Sequence, residues 1–189
     1  ITAQLINDLS VREVEELFSS RSDIDQGVFC HLESDTRAGV RRIAARLRRS
    51  EQRSASEEAR VKRMMIFEND LWESGVRVVA GVDEVGRGCL AGPVVAAAVA
   101  FKPGSGIQGI NDSKKLNPEL REKLSQIILD QALSATVAKV EAPEIDRLNI
   151  LQASLLAMRK AIGDLVPDPE HVLIDGSVKA GSPFSETTV

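Results

Sequence analysis

The sequence holds only two cysteines and two histidines, and Cys30 and Cys89 share neither a CxxC spacing nor the Cys/His spacing of a zinc site. That spacing argues against a zinc site. Long apolar runs are also missing. The longest, Val94 to Phe101, is far too short to cross a bilayer, and the N-terminal stretch lacks the positive flank and apolar centre of a signal peptide. The chain therefore reads as soluble and cytoplasmic, with no membrane partner. Strong net charge is absent as well. A formal charge of -4 excludes a protein that coats nucleic acid nonspecifically by displacing counterions, though not one with a local groove for it. What is present is 189 residues with 43% hydrophobic content, enough for one ordinary domain, a packed core and an appendage.

Proline is absent from the first 75 residues, which carry most of the arginine, and that composition predicts helices. In "DLSVREVEELF", Ser10 with Glu13 three places on is a capping-box pattern. A loop is predicted over Ser19 to Gly27, then a short apolar patch. From Asp35 to about Glu73 one or two helices follow, with Val40, Ile43, Ala44 and Leu47 on one face and Arg42, Arg46, Arg49 and Arg53 on another. Beyond residue 75 the pattern changes. "VRVVAGV" (76 to 82) and "PVVAAAVAF" (93 to 101) predict buried strands, and Gly104 and Gly106 a loop. Asn117 before Pro118 predicts a helix reaching about Leu133. "ATVAKVE" predicts a strand, and Pro143 opens one long helix through Ile162, with Glu144 and Asp146 suited to the dipole of its first turn. "HVLIDG" (171 to 176) predicts another strand, and "PFSETTV" has strand composition. Strands and helices alternate, so the class is α/β.

Two of these strands, Val76 to Val82 and His171 to Ile174, finish on acids followed closely by glycine. Strand ends in an open α/β sheet share a ligand crevice, so Asp83, Glu84 and Asp175 converge if the strands pair. Three carboxylates together would repel one another unless divalent cations hold them ionised, and an oxygen-only ligand set suits magnesium or manganese. Each acid alone reads equally well as a strand-end residue facing water. Gly86, Gly88 and Ala91 also fit the dinucleotide pattern GxGxxA, but Gly92 and Pro93 stand where that motif should open a helix. These glycines otherwise let backbone N–H groups approach a phosphate or sugar hydroxyl. Lys114 and Lys115, just before a helix start, are either phosphate contacts or simply solvated. Asn149 and Gln152, one turn apart on an apolar helix, face either water or a bound strand.

In order and spacing, "GVDEVGRGCLAGPVVAAAV", "NDSKKLN", "EIDRLNILQASLLAM" and "VLIDG" closely resemble bacterial ribonuclease HII, over roughly residues 77 to 176. The resemblance implies a ribonuclease H-like fold, a mixed sheet flanked by helices, in a catalytic domain over 76–189 behind a helical extension over 1–75. It implies an endonuclease that hydrolyses the RNA strand of RNA/DNA hybrids and cuts at ribonucleotides embedded in duplex DNA, leaving a 5'-phosphate and a 3'-hydroxyl. Asp83, Glu84 and Asp175 match catalytic acids that hold two ions of Mg2+ or Mn2+. Gly86, Arg87 and Gly88 match a triplet whose main chain contacts the ribose 2'-hydroxyl, the group that separates RNA from DNA. Lys114 matches a lysine meeting the nucleic-acid backbone, and Asn149 a helix position near the DNA strand. The implied protein is monomeric.

Three departures qualify the match. The family's fourth acid has no counterpart, since Glu186 is the sole acid after Asp175 and has the wrong context. The family's junction-sensing tyrosine has none either, as the chain contains no tyrosine. The sequence begins at Ile1 and stops inside "PFSETTV", so it is expected to be an excerpt of a longer polypeptide, impaired in activity as it stands. A non-catalytic nucleic-acid binding module is the alternative reading. For the extension, a substrate-gripping role stands beside a solvated helix held by charge pairs.

Overall fold

The computed structural model describes residues 3–19 and 24–189. Contacts divide the chain into two compact units after Arg60, earlier than the change of composition at residue 75.

The first unit holds helices α1 (Ala3–Asp8), α2 (Val11–Phe18), α3 (Gln26–Ser34) and most of α4 (Ala38–Met64). Ser10 and Glu13 form the reciprocal capping box, with Ser10 Oγ accepting from Glu13 N at 3.3 Å and Glu13 Oε2 accepting from Ser10 N at 2.7 Å. The loop predicted over 19 to 27 lies partly outside the described residues. Its last two positions belong to α3 instead, because Asp25 caps that helix by accepting from Gly27 N at 2.8 Å. The apolar patch after it is this helix, which buries Val28, Phe29 and Leu32. Val40, Ile43 and Ala44 of α4 join Ile6, Val14, Phe18, Val28 and Leu32 in one buried cluster, with Leu47 packed against it. Each fully buried branched side chain stabilises by roughly 1.5–3 kcal/mol.

A single arginine ties this unit together. Arg37 binds Asp35 through both carboxylate oxygens, at 2.9 and 2.7 Å, and also donates to the carbonyl oxygens of Ile6 and Leu9 near the end of α1. Arg41 adds bonds to the Asp35 and Thr36 carbonyls at 2.7 and 2.8 Å. On the opposite face of α4, Arg42, Arg46, Arg49 and Arg53 are exposed in a row. Arg46 pairs with Glu15, whereas Arg42, Arg49 and Arg53 have no carboxylate partner among the described residues.

The second unit adds α5 (Ile66–Glu73), then β1 (Val79–Val85), β2 (Val94–Phe101), α6 (Pro118–Gln131), β3 (Ser134–Val140), α7 (Ala142–Leu148), α8 (Ile150–Gly163), β4 (His171–Ile174) and β5 (Ser185–Thr188). The sheet order is β3-β2-β1-β4-β5, with β1–β2 and β2–β3 antiparallel and β1–β4 and β4–β5 parallel. Helix α8 packs across β1, β2 and β3. Small residues make that contact close: Ala80, Ala96, Ala98 and Ala100 of the sheet share one buried cluster with Ala153, Ala157 and Ala161 of α8. Among the described residues no helix is long and apolar enough to cross a membrane.

Two predicted boundaries differ. The first strand begins at Val79 rather than Val76 and continues to Val85, because its antiparallel partner pairs on through Asp83↔Ala97, Glu84↔Ala96 and Val85↔Val95. The single helix predicted from Pro143 is two helices, broken at Asn149, whose φ is 70°. Asparagine tolerates that left-handed conformation, and its Oδ1 accepts from Gln152 N at 3.1 Å to cap α8.

Candidate active site

Three strands meet where the acids lie. The β1–β4 register ends at Val82↔Ile174, and Asp175 N donates to Val82 O at 3.1 Å, which sets Asp175 beside Asp83 at the carboxyl ends of two parallel strands. Side chains alternate along a strand, so Ala80, Val82 and Glu84 face α8 while Asp83 faces the other side. Glu84 and Asp175 together line a small cleft of about 50 Å³, closed by Leu151, Ser154, Leu155 and Met158 of α8. That volume admits an ion or a water, not a nucleotide, so any polymer must lie across its mouth.

The electrostatics single out Asp83. Desolvation raises its pKa, and the nearby carboxylates of Asp175 and Glu84 raise it further, against a hydrogen bond from Glu84 N at 2.6 Å and the charge of Lys114. Negative charge is thus concentrated at Asp83. Glu84 differs, because its Oε1 accepts from Arg87 Nη1 at 2.9 Å. Among the described residues no three histidine, cysteine, aspartate or glutamate side chains are grouped as a ready metal cage. The structure therefore sets Asp175 beside Asp83 and also in the cleft with Glu84, which is bonded to Arg87. The donors are all carboxylate oxygens, and the repulsion centred on Asp83 is of the kind a hard divalent cation relieves.

The remaining candidate residues lie in four places. Gly86, Arg87 and Gly88 form the turn after β1, with Cys89 N donating to Gly86 O at 3.3 Å. Gly86 has φ 98°, and a β-carbon there would stand 2.6 Å from the Pro93 carbonyl oxygen. Its glycine is required by the turn itself. A β-carbon added at Gly88 would meet nothing within 4 Å, and the residue is exposed. Lys114 lies in the short 3-10 turn Ser113–Lys115, capped by Asp112, and its charge reaches Asp83. Asn149 caps α8 and is not among the residues lining the cleft. Glu186 accepts from Gly181 N at 3.0 Å and Ser182 N at 2.8 Å. Burial alone would raise its pKa, but those bonds and Lys179 hold it below the usual carboxylate range, in the manner of a loop pin.

Residues 80–187 match the family model for ribonuclease HII, and residues 10–72 match that for the ribonuclease HII N-terminal domain. The chain belongs to the ribonuclease HII family. Among solved structures, the ribonuclease H2 of Pyrococcus horikoshii OT3 is 27% identical, with 59% of this chain and 61% of that one covered and a TM-score of 0.51. The present chain thus spans about three fifths of that relative's length. A ribonuclease HII from Archaeoglobus fulgidus, solved as a complex with PCNA, is 24% identical over 58% of this chain and 61% of that one, at a TM-score of 0.44. Bst-RNase HIII in complex with Mn2+ is 25% identical over 56% and 38%, at 0.42. The mixed five-stranded sheet with its flanking helices is the ribonuclease H-like fold.

Sequence reasoning overlooked two features of this ribonuclease HII site. The α8 wall of the cleft was legible only as apolar periodicity, which marks a buried face without saying what lies opposite. The resemblance assigns Arg87 a role through its main chain alone, although its three-residue separation from Glu84 across a glycine turn permits the side-chain ion pair seen here.

Proposed function

We propose that this ribonuclease HII chain carries a Mg2+- or Mn2+-dependent endonuclease site that hydrolyses the RNA strand of RNA/DNA hybrids and cuts at ribonucleotides embedded in duplex DNA. The observation that carries this reading is the placement of Asp83 and Asp175 side by side at parallel strand ends. Asp83, Asp175 and Glu84 would hold the cation, which when bound supplies an activated water and charge stabilisation at the reacting phosphate. Lys114 sets a positive charge beside these acids for a backbone phosphate. The main chain at the exposed Gly88, with Gly86 and Arg87 before it, reads the 2'-hydroxyl. The α8 wall of Leu151, Leu155 and Met158 limits bulk water on the Glu84 side. Products are a 5'-phosphate and a 3'-hydroxyl, and the protein acts as a cytoplasmic monomer. Asn149 approaches the DNA strand in this reading.

A duplex containing one ribonucleotide, titrated with magnesium, tests the proposal. Cleavage beside the ribonucleotide that rises from zero with metal is expected; metal-independent binding without product favours a non-catalytic binding module instead. The Glu84–Arg87 pair is what favours that second reading, since it occupies one candidate ligand.

The N-terminal helical region has a companion role, as a grip on the duplex backbone. Arg42, Arg46, Arg49 and Arg53 recur every three or four residues and so cover about 16 Å of one face of α4. Replacing Arg42, Arg49 and Arg53 by alanine is expected to reduce the slope of log affinity against log salt by about 3. An unchanged slope means that these arginines touch no phosphates.

A further inference from the structure

The acids of the site are not equivalent in charge balance. Asp83 and Asp175 repel one another, opposed by the hydrogen bond from Glu84 N and the charge of Lys114, whereas Glu84 has a guanidinium bonded to it at 2.9 Å. The Glu84 side chain is 10% exposed and Arg87's is 49% exposed, so the carboxylate is fixed in the cleft while the guanidinium reaches in from water. Arginine stays protonated, and a carboxylate oxygen accepting its N–H has less electron density to offer a metal. A divalent ion entering beside Glu84 also meets the guanidinium's like charge.

We propose that Arg87 is a built-in counter-ion that competes with the divalent cation for Glu84, and so sets the affinity of the site for metal. The inference rests on Asp83, Glu84 and Asp175 being the metal-binding acids. Arg87 is then a positioning residue. In the metal-free protein it keeps Glu84 charge-matched and aimed at the cleft, and it leaves that carboxylate when a cation arrives. Because it is half exposed, it returns to water at small cost. Freed from Glu84, it stands beside the exposed Gly88, at the mouth of the cleft.

Mn2+ binding, read from the loss of the free-ion electron paramagnetic resonance signal, tests this without any turnover. R87A and R87Q, which remove the charge, are expected to bind Mn2+ about five- to tenfold more tightly than the unsubstituted protein. R87K, which keeps the charge, should stay within about twofold of it. A merely structural role for Arg87 predicts weaker binding in all three variants, and that result overturns the proposal. So does unchanged affinity in R87A and R87Q, or an R87K that binds as tightly as R87A. If the unsubstituted protein binds no Mn2+ at all, the assignment of the metal-binding acids fails, a result distinct from failure of the counter-ion role.

Discussion

Asp83→Asn is expected to lower the proposed metal-dependent cleavage of a duplex with one embedded ribonucleotide by about a thousandfold, the order that follows when several kcal/mol of metal-derived stabilisation is lost. The substitution preserves shape, and asparagine's Oδ1 still accepts the Glu84 N–H that Asp83 accepts at 2.6 Å. Only the charge is removed. Desolvation and the Asp175 and Glu84 charges hold the Asp83 pKa above its ordinary value, so the ionised form is disfavoured in the metal-free fold. A group with a raised folded pKa weakens stability at pH values above its unfolded pKa, which means the neutral asparagine removes a destabilising charge at neutral pH. The midpoint of thermal unfolding without metal should therefore stay the same or rise while turnover collapses. A variant that loses stability in parallel with activity would mean that Asp83 is structural.

The largest effect on stability is expected at Asp35. Its side chain is 4% exposed, and bonding to Arg37, acting against desolvation, holds its pKa at about 2. Asp35→Ala leaves the Arg37 guanidinium bonded to the Ile6 and Leu9 carbonyls but without a counter-charge, at a cost of about 2–4 kcal/mol to the first unit. The pH dependence has a definite sign. A depressed folded pKa contributes stability that is complete above the unfolded value of about 4 and is lost as pH falls toward the folded value. Acid titration followed by far-ultraviolet circular dichroism should thus show helix loss in the unsubstituted protein between about pH 4 and pH 2. That component should be absent from the variant, whose helices are already weakened at neutral pH. An alanine variant as stable as the parent, with the same acid transition, contradicts this role.

Local chemistry made much of the fold legible. Ser10 with Glu13, and Asn117 with Pro118, announce helix starts because their side chains and ring satisfy the first turn whatever the surroundings. The apolar run of β4 could be read because burial on both faces leaves no polar alternation, and β2, fully buried on one face only, could be read from its unbroken run of alanine and valine. What was not legible depends on partners distant in sequence. The end of β1 is set by β2, whose pairing carries the strand through two acids that no propensity would place there. The break at Asn149 is a backbone choice at one residue inside a periodic apolar pattern, and periodicity does not record φ. Grouping by strand ends put Asp83 and Asp175 side by side in outline. It did not show that alternation sends Glu84 to the opposite face, or that Arg87 waits there.

The central claim is that the carboxylates at the tips of β1 and β4 share a divalent cation. Anomalous diffraction at the manganese edge, from crystals grown with saturating Mn2+, addresses it directly. The account predicts an anomalous peak within bonding distance of both Asp83 and Asp175, with Glu84 released from Arg87 toward it. Manganese bound elsewhere, or no peak between those two aspartates, would contradict it.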